Sequence, residues 1–440
     1  MPRTPHLAAL GIAMLSLVLL AACGGSSESP STPVASPTAG GGASSRTPGA
    51  GTVSVLGLWG DAELASFNAM MRQWGGTVDF TGTRSLTSIL TTRVEGGNPP
   101  DVAIPAEIGL FRRFAHEGKV RPLSSCPGLE EKIRANYPQA FLDLGTVDGT
   151  LYGFFMKADT KATIFYNPRF FQQHNLQPLT AESTFDDLIV LSDAIKATGT
   201  APWSIGQEAG DGSGFPGSDT IQQILLNQEG VAAYDGVVDG SVPFTDPKME
   251  DAWEKFGRIA LGDGYTSQGS ASAINALNFE DSSRLPFEDP PQAAMVHLGG
   301  FASGFIRDAF PQAKAGTDFD FMPWPGGQVT GSANIVYAFN TSPAVCSFLD
   351  YLASADAQGI WVKRGGFTSL NTQVSLDAYP DAVAKKVAQQ LLDAKTFRFD
   401  LDDAIGGALQ QAEFGGVTQY LADPSQLDAI LAAIEAARSH

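Results

Sequence analysis

The sequence predicts an α/β protein built as two lobes. Two observations lead there. Strand-like runs alternate with helix-spaced segments from Val53 onward. The 389 residues from Thr52 to His440 also exceed what one hydrophobic core usually serves.

The elements follow in order. Val53–Trp59 is a β-branched and apolar run, hence a strand, and Asp61–Trp74 repeats apolar residues at helical spacing through Leu64, Phe67, Met70, Met71 and Trp74. Val78–Phe80 is a second strand, Ser85 opens a helix to Val94, and Asp101–Ile104 is a third strand. Ile108–Glu117 is a helix stopped by Gly118. This alternation predicts a largely parallel sheet. Leu151–Lys157 and Ala162–Tyr166 are two extended runs joined by Ala158–Lys161. A helix at Pro168–His174 follows, and Thr184 caps a further helix over Phe185–Ile195. Trp203–Ile205 is a short strand, a Gly-rich loop runs to Gly217, and a helix follows over Ser218–Asn227. From Asp377 onward the chain is mostly helical.

The N-terminus is of another kind. Arg3 precedes an almost unbroken apolar run, Leu7–Ala22, which has the layout of an export signal and is short for a spanning helix. The sequence Leu20-Ala-Ala-Cys23 resembles the lipobox of bacterial lipoproteins, in which the cysteine becomes the lipidated N-terminus. Residues 1–22 are therefore expected to be removed and Cys23 to carry a lipid anchor. Gly24–Gly51 lacks the apolar side chains that offset ordering entropy and reads as a flexible tether. Its 28 residues give an r.m.s. reach of about 30 Å. The expected location is extracytoplasmic, with the body held to the cell membrane.

Loss of the signal's Arg3 takes the formal charge from −19 to −20. Such a surface argues against nucleic acid and anionic lipid as partners and suits a neutral or cationic ligand. Cys126 and Cys346 remain after Cys23. In an oxidising space two thiols tend to join, and two separately buried thiols are the alternative.

Signatures of catalysis are absent. The five histidines, His6, His116, His174, His297 and His440, form no metal-ligand spacing, and there is no C-x-x-C, G-x-S-x-G or Walker A loop. Gly212–Gly217 matches G-x-G-x-x-G, but it lies mid-chain and contains Pro216, so it does not suit a dinucleotide. It still precedes a helix whose free N–H groups can meet a ligand. Asp400, Asp402 and Asp403 read as helix-end acids, because Ile405 stands where a calcium loop needs glycine. No metal, cofactor or catalytic residue is expected.

The aromatics carry more information. Trp59-Gly-Asp61 sits where the first strand ends, and Glu107 occupies the comparable loop after the third. Ligands of α/β folds gather at such strand ends. A ring covers the C–H face of a sugar while a carboxylate accepts from its hydroxyls. Phe215, Phe301 and Phe367 border glycine-rich turns that expose rings. Core packing for the rings, and helix capping for Asp61 and Glu107, are the competing roles.

A set of segments then resembles the ABC-transporter extracellular solute-binding proteins of the sugar-binding kind, and is most similar to the alpha-glucoside-binding subgroup. The segments are Gly97–Val102, Val147–Gly153, Lys157–Asn167, Thr184–Leu188, Ala201–Gly206, Gly214–Asp219, Asp289–Pro291, Gly365–Phe367 and Phe397–Asp400. They keep family order over nearly all of Thr52–Ala437. Three positions depart from the subgroup: Phe215 replaces a usual tryptophan, Thr220 another, and Asp402 a usual serine. The departures keep a sugar and leave its identity open.

The resemblance implies a two-lobed periplasmic-binding-protein-like fold with a hinge and a central cleft. The first lobe would take residues 52–155 and 321–355, and the second 156–320 and 356–440. Both Cys126 and Cys346 then fall in the first lobe, which favours their pairing. The expected function is capture of a mono- or oligosaccharide by a monomer for a membrane permease with its own ATPase. A surface-anchored hydrolase or lyase is the alternative, and an adhesin or scaffold lipoprotein a third reading. Trp59, Phe215, Phe301 and Phe367 are the stacking candidates; Asp61, Glu107, Lys157, Asp219, Arg398 and Asp400 are the hydroxyl-binding candidates.

Overall fold

The structure is a computed structural model that describes residues 51–438. The export signal, Cys23 and the tether up to residue 50 lie outside the described residues. Among those described, no helix is long and apolar enough to cross a membrane.

The strands, in chain order, are β1 (Thr52–Gly57), β2 (Thr77–Gly82), β3 (Val102–Ile104), β4 (Thr146–Val147), β5 (Thr150–Leu151), β6 (Gly153–Thr160) and β7 (Thr163–Tyr166). Then come β8 (Ala201–Ser204), β9 (Ala293–His297), β10 (Asp320–Pro323), β11 (Val329–Ala338), β12 (Thr368–Ser369) and β13 (Phe397–Phe399). One large sheet has the order β12-β6-β11-β3-β1-β2, with β13 beside β11. A smaller sheet has the order β10-β7-β9-β8, and β4 and β5 form a two-strand ribbon. Each larger sheet is flanked by helices, which gives the two α/β lobes.

The expected parallel arrangement holds for β2, β1 and β3. The other half of that sheet differs, because β11 runs antiparallel to β3 and β6, and β6 antiparallel to β12, while only β13 lies parallel to β11. β6 and β11 are consecutive in space but come from distant chain segments, so no strand–helix–strand crossover dictates their direction. All eight residues of β6 are buried, as a strand covered on both faces requires.

The chain changes sheet in short steps. β6 belongs to the large sheet and β7 to the small one, so the two extended runs around Ala158–Lys161 form a crossing rather than a hairpin. The chain returns between β10 and β11, and again leaves the large sheet after β13 for helices that pack on Phe215–Glu229. The crossings bond to one another: Lys161 N donates to Thr330 O at 2.8 Å, and Asp400 N donates to Gly331 O at 2.9 Å.

Local signals read in the sequence hold where they can be checked. Thr184 accepts from Asp187 N at 3.2 Å, and the Asp187 carboxylate accepts from Thr184 N at 2.8 Å, closing a capping box. The helix after the Gly-rich loop starts earlier than expected, at Phe215 (Phe215–Glu229). Its preceding Gly214 has φ 110°, and a Cβ there would lie 2.1 Å from Phe414 O, so only glycine fits. Cys126 and Cys346 are joined as a disulfide across 220 residues, tying the start of Leu129–Asn136 to Pro343–Leu352.

Candidate functional site: a charged, phenylalanine-walled cavity

The crossings converge on a cavity of about 540 Å³, within the usual range for a small-molecule site. Its polar floor comes from the crossing segments themselves. Asp159 and Lys161 lie on the first crossing, and Asp400, Asp402 and Asp403 on the last. Glu107 follows β3, and Asp219 stands in the first turns of Phe215–Glu229.

Each buried lysine is held by two acids. Lys161 Nζ lies 2.6 Å from Asp219 Oδ2 and 3.3 Å from Asp400 Oδ2. Lys157 Nζ pairs with Asp159 and lies 3.3 Å from Glu63 Oε1. Burial works against both ammonium charges, but the neighbouring carboxylates outweigh it and hold both lysines above the usual range. His297 fixes the Lys161 turn. Its Nε2 lies 2.7 Å from Lys161 O and its Nδ1 2.8 Å from Thr220 Oγ1. Burial takes this imidazole down to about 4, so it is neutral, donating at Nε2 and accepting at Nδ1.

The acids behind the floor outnumber their partners. Burial lifts the Asp159 and Asp219 carboxyls to about 6 despite their lysines, and lifts Glu107 to about 7 despite the Thr87 hydroxyl it accepts from. Asp400, Asp403 and Glu413 are pushed up further by burial and by the charge of neighbouring acids, Asp402 among them in each case. Ser218 Oγ is 2.8 Å from Asp402 Oδ2 and 2.9 Å from Glu413 Oε1. One hydroxyl hydrogen cannot serve both. Ser218 therefore donates to one of the two carboxyls at a time, while Gln222 donates to Asp402. Glu107 Oε2 and Asp400 Oδ1 are buried with no protein partner.

The walls are phenylalanines. Phe279 packs edge-on to Phe215 at 5.0 Å, to Phe305 at 5.9 Å and to Phe301 at 6.3 Å. Lys161 Nζ lies 5.3 Å from the Phe215 ring centre and 5.6 Å from that of Phe301, so the rings also cover the charged floor.

Of the residues singled out in the sequence, Glu107, Lys157, Phe215, Asp219, Phe301 and Asp400 line this cavity. Asp61 is the first residue of the helix Asp61–Met71. Trp59 is 1% exposed and packs against Phe67, Phe80 and Trp361. Phe367 is buried against that same Trp361 at 5.0 Å. Arg398 makes a two-pronged pair with Asp235 and is not among the lining residues. The cavity also holds residues that were not singled out for binding: Glu63, Arg84, Asp159, Lys161, Phe279 and Asn334. Lys161 and Asp159 could have been found from the charge density of Lys157–Lys161, where three ionisable residues sit in an otherwise apolar stretch. Phe279 and Glu63 carry no local signal. Among the described residues no group of three or more His, Cys, Asp and Glu side chains is arranged to hold a metal.

Two α/β lobes joined by short crossings, with a polar and aromatic cavity at the junction, define a two-lobed binding protein. The chain belongs to the family of bacterial extracellular solute-binding proteins, matching it over residues 64–389. It is 31% identical over 362 residues to the osmoprotective compounds-binding protein GgtB of Synechocystis sp., across 80% of this chain and 84% of that one. It is 28% identical over 398 residues to the alpha-glucosides-binding periplasmic protein AglE of Rhizobium meliloti, across 86% and 85% of the two chains. In fold it is similar to the bacterial solute receptor AcbH, whose crystal structures report a preference for β-D-galactopyranose. The TM-score is 0.76 at 18% identity, over 88% of this chain and 98% of that one.

Proposed function

We propose that this protein is the substrate-binding lipoprotein of an ABC importer, and that it captures a mono- or oligosaccharide in the 540 Å³ cavity and delivers it to a membrane permease. An α-glucoside is the first class to test. The observation that carries the reading is the pairing of Phe215, Phe279 and Phe301 with a floor of buried lysine–carboxylate pairs. Rings cover the C–H faces of a sugar. The Glu107 carboxyl, lifted to about 7, can donate as well as accept, and the carboxylates paired with the lysines accept, which matches hydroxyls, groups that do both. A relative that binds α-glucosides and a structural neighbour that prefers β-D-galactopyranose support the sugar class.

In this reading the lobes are hinged at the crossings and close over the ligand as a monomer. Glu107, Lys157, Asp219 and Asp400 hold hydroxyls, and Phe215 and Phe301 stack. Cys23 carries the lipid, and the tether keeps the body outside the membrane within reach of its permease. The protein performs no reaction on the sugar.

A thermal-shift screen of purified protein against neutral sugars, amino acids and polyamines tests the ligand class; stabilisation by sugars alone is expected. Chromatography of a labelled oligosaccharide after long incubation tests the absence of chemistry, and the expected result is full recovery. Cleavage products would establish a hydrolase or lyase instead.

A further inference from the structure

The cavity has a neighbour. A second chamber of about 680 Å³ lies beside it, and the two share Leu58, Arg84, Ala209 and Phe279 among their lining residues. Gly60, Gly82 and Thr83 line this outer chamber from the large-sheet lobe, and Glu208, Asn278 and Arg284 from the other. Resting on the carbohydrate reading, we infer that Arg84 is a movable partition between the chambers and thereby sets the length of sugar the protein accepts.

Three features carry this. The first is position. Arg84 sits between β2 and the helix Leu86–Glu95 on the large-sheet side and reaches across to the segment Phe279–Ser282, which leads into β9 of the small sheet. Its guanidinium lies 5.1 Å from the centre of the Phe279 ring, so the two shared side chains meet at the boundary.

The second is how Arg84 is held. Its Nη2 lies 3.5 Å from Glu63 Oε2 in its own lobe and 3.3 Å from Glu280 Oε1 in the other. Neither contact is a short, two-pronged pair, and the side chain is 33% exposed. Both acids are largely buried, at 12% and 14% exposure, but the contacts are long and single, so a ligand's hydroxyls can replace them. Lys157 and Lys161, by contrast, are fixed by buried acids and cannot swing away.

The third is chemical continuity. The inner chamber ends at Phe279, and the outer one continues with carboxylate, amide and guanidinium groups. Such groups suit further hydroxyl-bearing rings. With Arg84 in place, a short sugar fits inside; with Arg84 displaced, the two volumes form one channel.

The test is calorimetric titration of the full chain and of Arg84→Ala with glucose, maltose, maltotriose and maltotetraose. The wild type should favour the shorter members. Arg84→Ala should improve binding of the longest member relative to the best short one at least tenfold. Arg84→Lys, which keeps the charge and most of the length, should keep the wild-type order and shows that a change in Arg84→Ala is not general loosening. If Arg84→Ala is folded and the ratio of long to short is unchanged, the partition is overturned while the sugar reading stands. If neither protein binds any member, the proposal falls together with the α-glucoside reading beneath it.

Discussion

Lys161 Nζ lies 2.6 Å from Asp219 Oδ2, and the two side chains join a lobe crossing to the helix that faces it. Asp400, on another crossing, is 3.3 Å from the same nitrogen. One buried cation therefore ties together the places where the chain passes between sheets. Replacing it strands two buried carboxyls. Lys161→Met should destabilise the protein by about 3–5 kcal/mol at neutral pH, the usual cost of removing one partner from a buried pair. The loss should shrink near pH 5, below the value of about 6 at which the Asp219 carboxyl takes up its proton. Urea unfolding at both values checks this, and an equal loss at both would remove the electrostatic explanation.

Glu107 makes folding pH-dependent. Its carboxyl sits at about 7 rather than the ordinary 4.5, because burial opposes the charge. Between those values the folded state binds more protons than the unfolded one, so stability falls as pH rises through that window. The contribution is on the order of 3 kcal/mol. Glu107→Gln keeps an acceptor for Thr87 and removes the ionisation. It should raise the melting temperature at pH 8, leave it nearly unchanged at pH 4.5, and flatten the profile between.

The rings should separate by role. Phe301→Ala removes a wall of the cavity and is expected to weaken sugar binding by about 1.5–3 kcal/mol, the worth of one well-covered ring. Trp59→Ala opens a void among Phe67, Phe80 and Trp361 and should instead lose about 3–5 kcal/mol of stability. Affinity and unfolding measured on both variants should give opposite orders of severity.

The Cys126–Cys346 bond closes a loop of 220 residues. Chain entropy assigns such a bond a stabilisation of about 5 kcal/mol at most, since the native state also absorbs cost. The double serine variant should unfold at lower denaturant with little change in ligand affinity, because the bond lies outside the residues that line the cavity. Ellman titration of unfolded wild type, without reductant, should find no free thiol from this pair.

Much of the architecture could be read from the residues, because strands and helices near the N-terminus announce themselves by period. Direction could not. The antiparallel course of β6 and β11 depends on partners 170 and more residues apart, which no local pattern encodes. Site residues divided in the same way. Phe215 and Asp219 were legible because glycine at 214 forces a turn into a helix start. Trp59 and Phe367 border glycines as well, yet both turn inward onto Trp361, and only tertiary packing decides that. Asp402 and Asp403 read correctly as helix-end acids, but their placement beside Asp219 and Glu107 needed the fold.

Isothermal titration calorimetry of the purified full chain over a broad panel of mono- and oligosaccharides tests the central claim most directly. Saturable binding of at least one sugar with a stoichiometry near one, weakened by Phe301→Ala, is the expected result. Absence of heat with every sugar, alongside tight binding of an amino acid, peptide or polyamine, would contradict it.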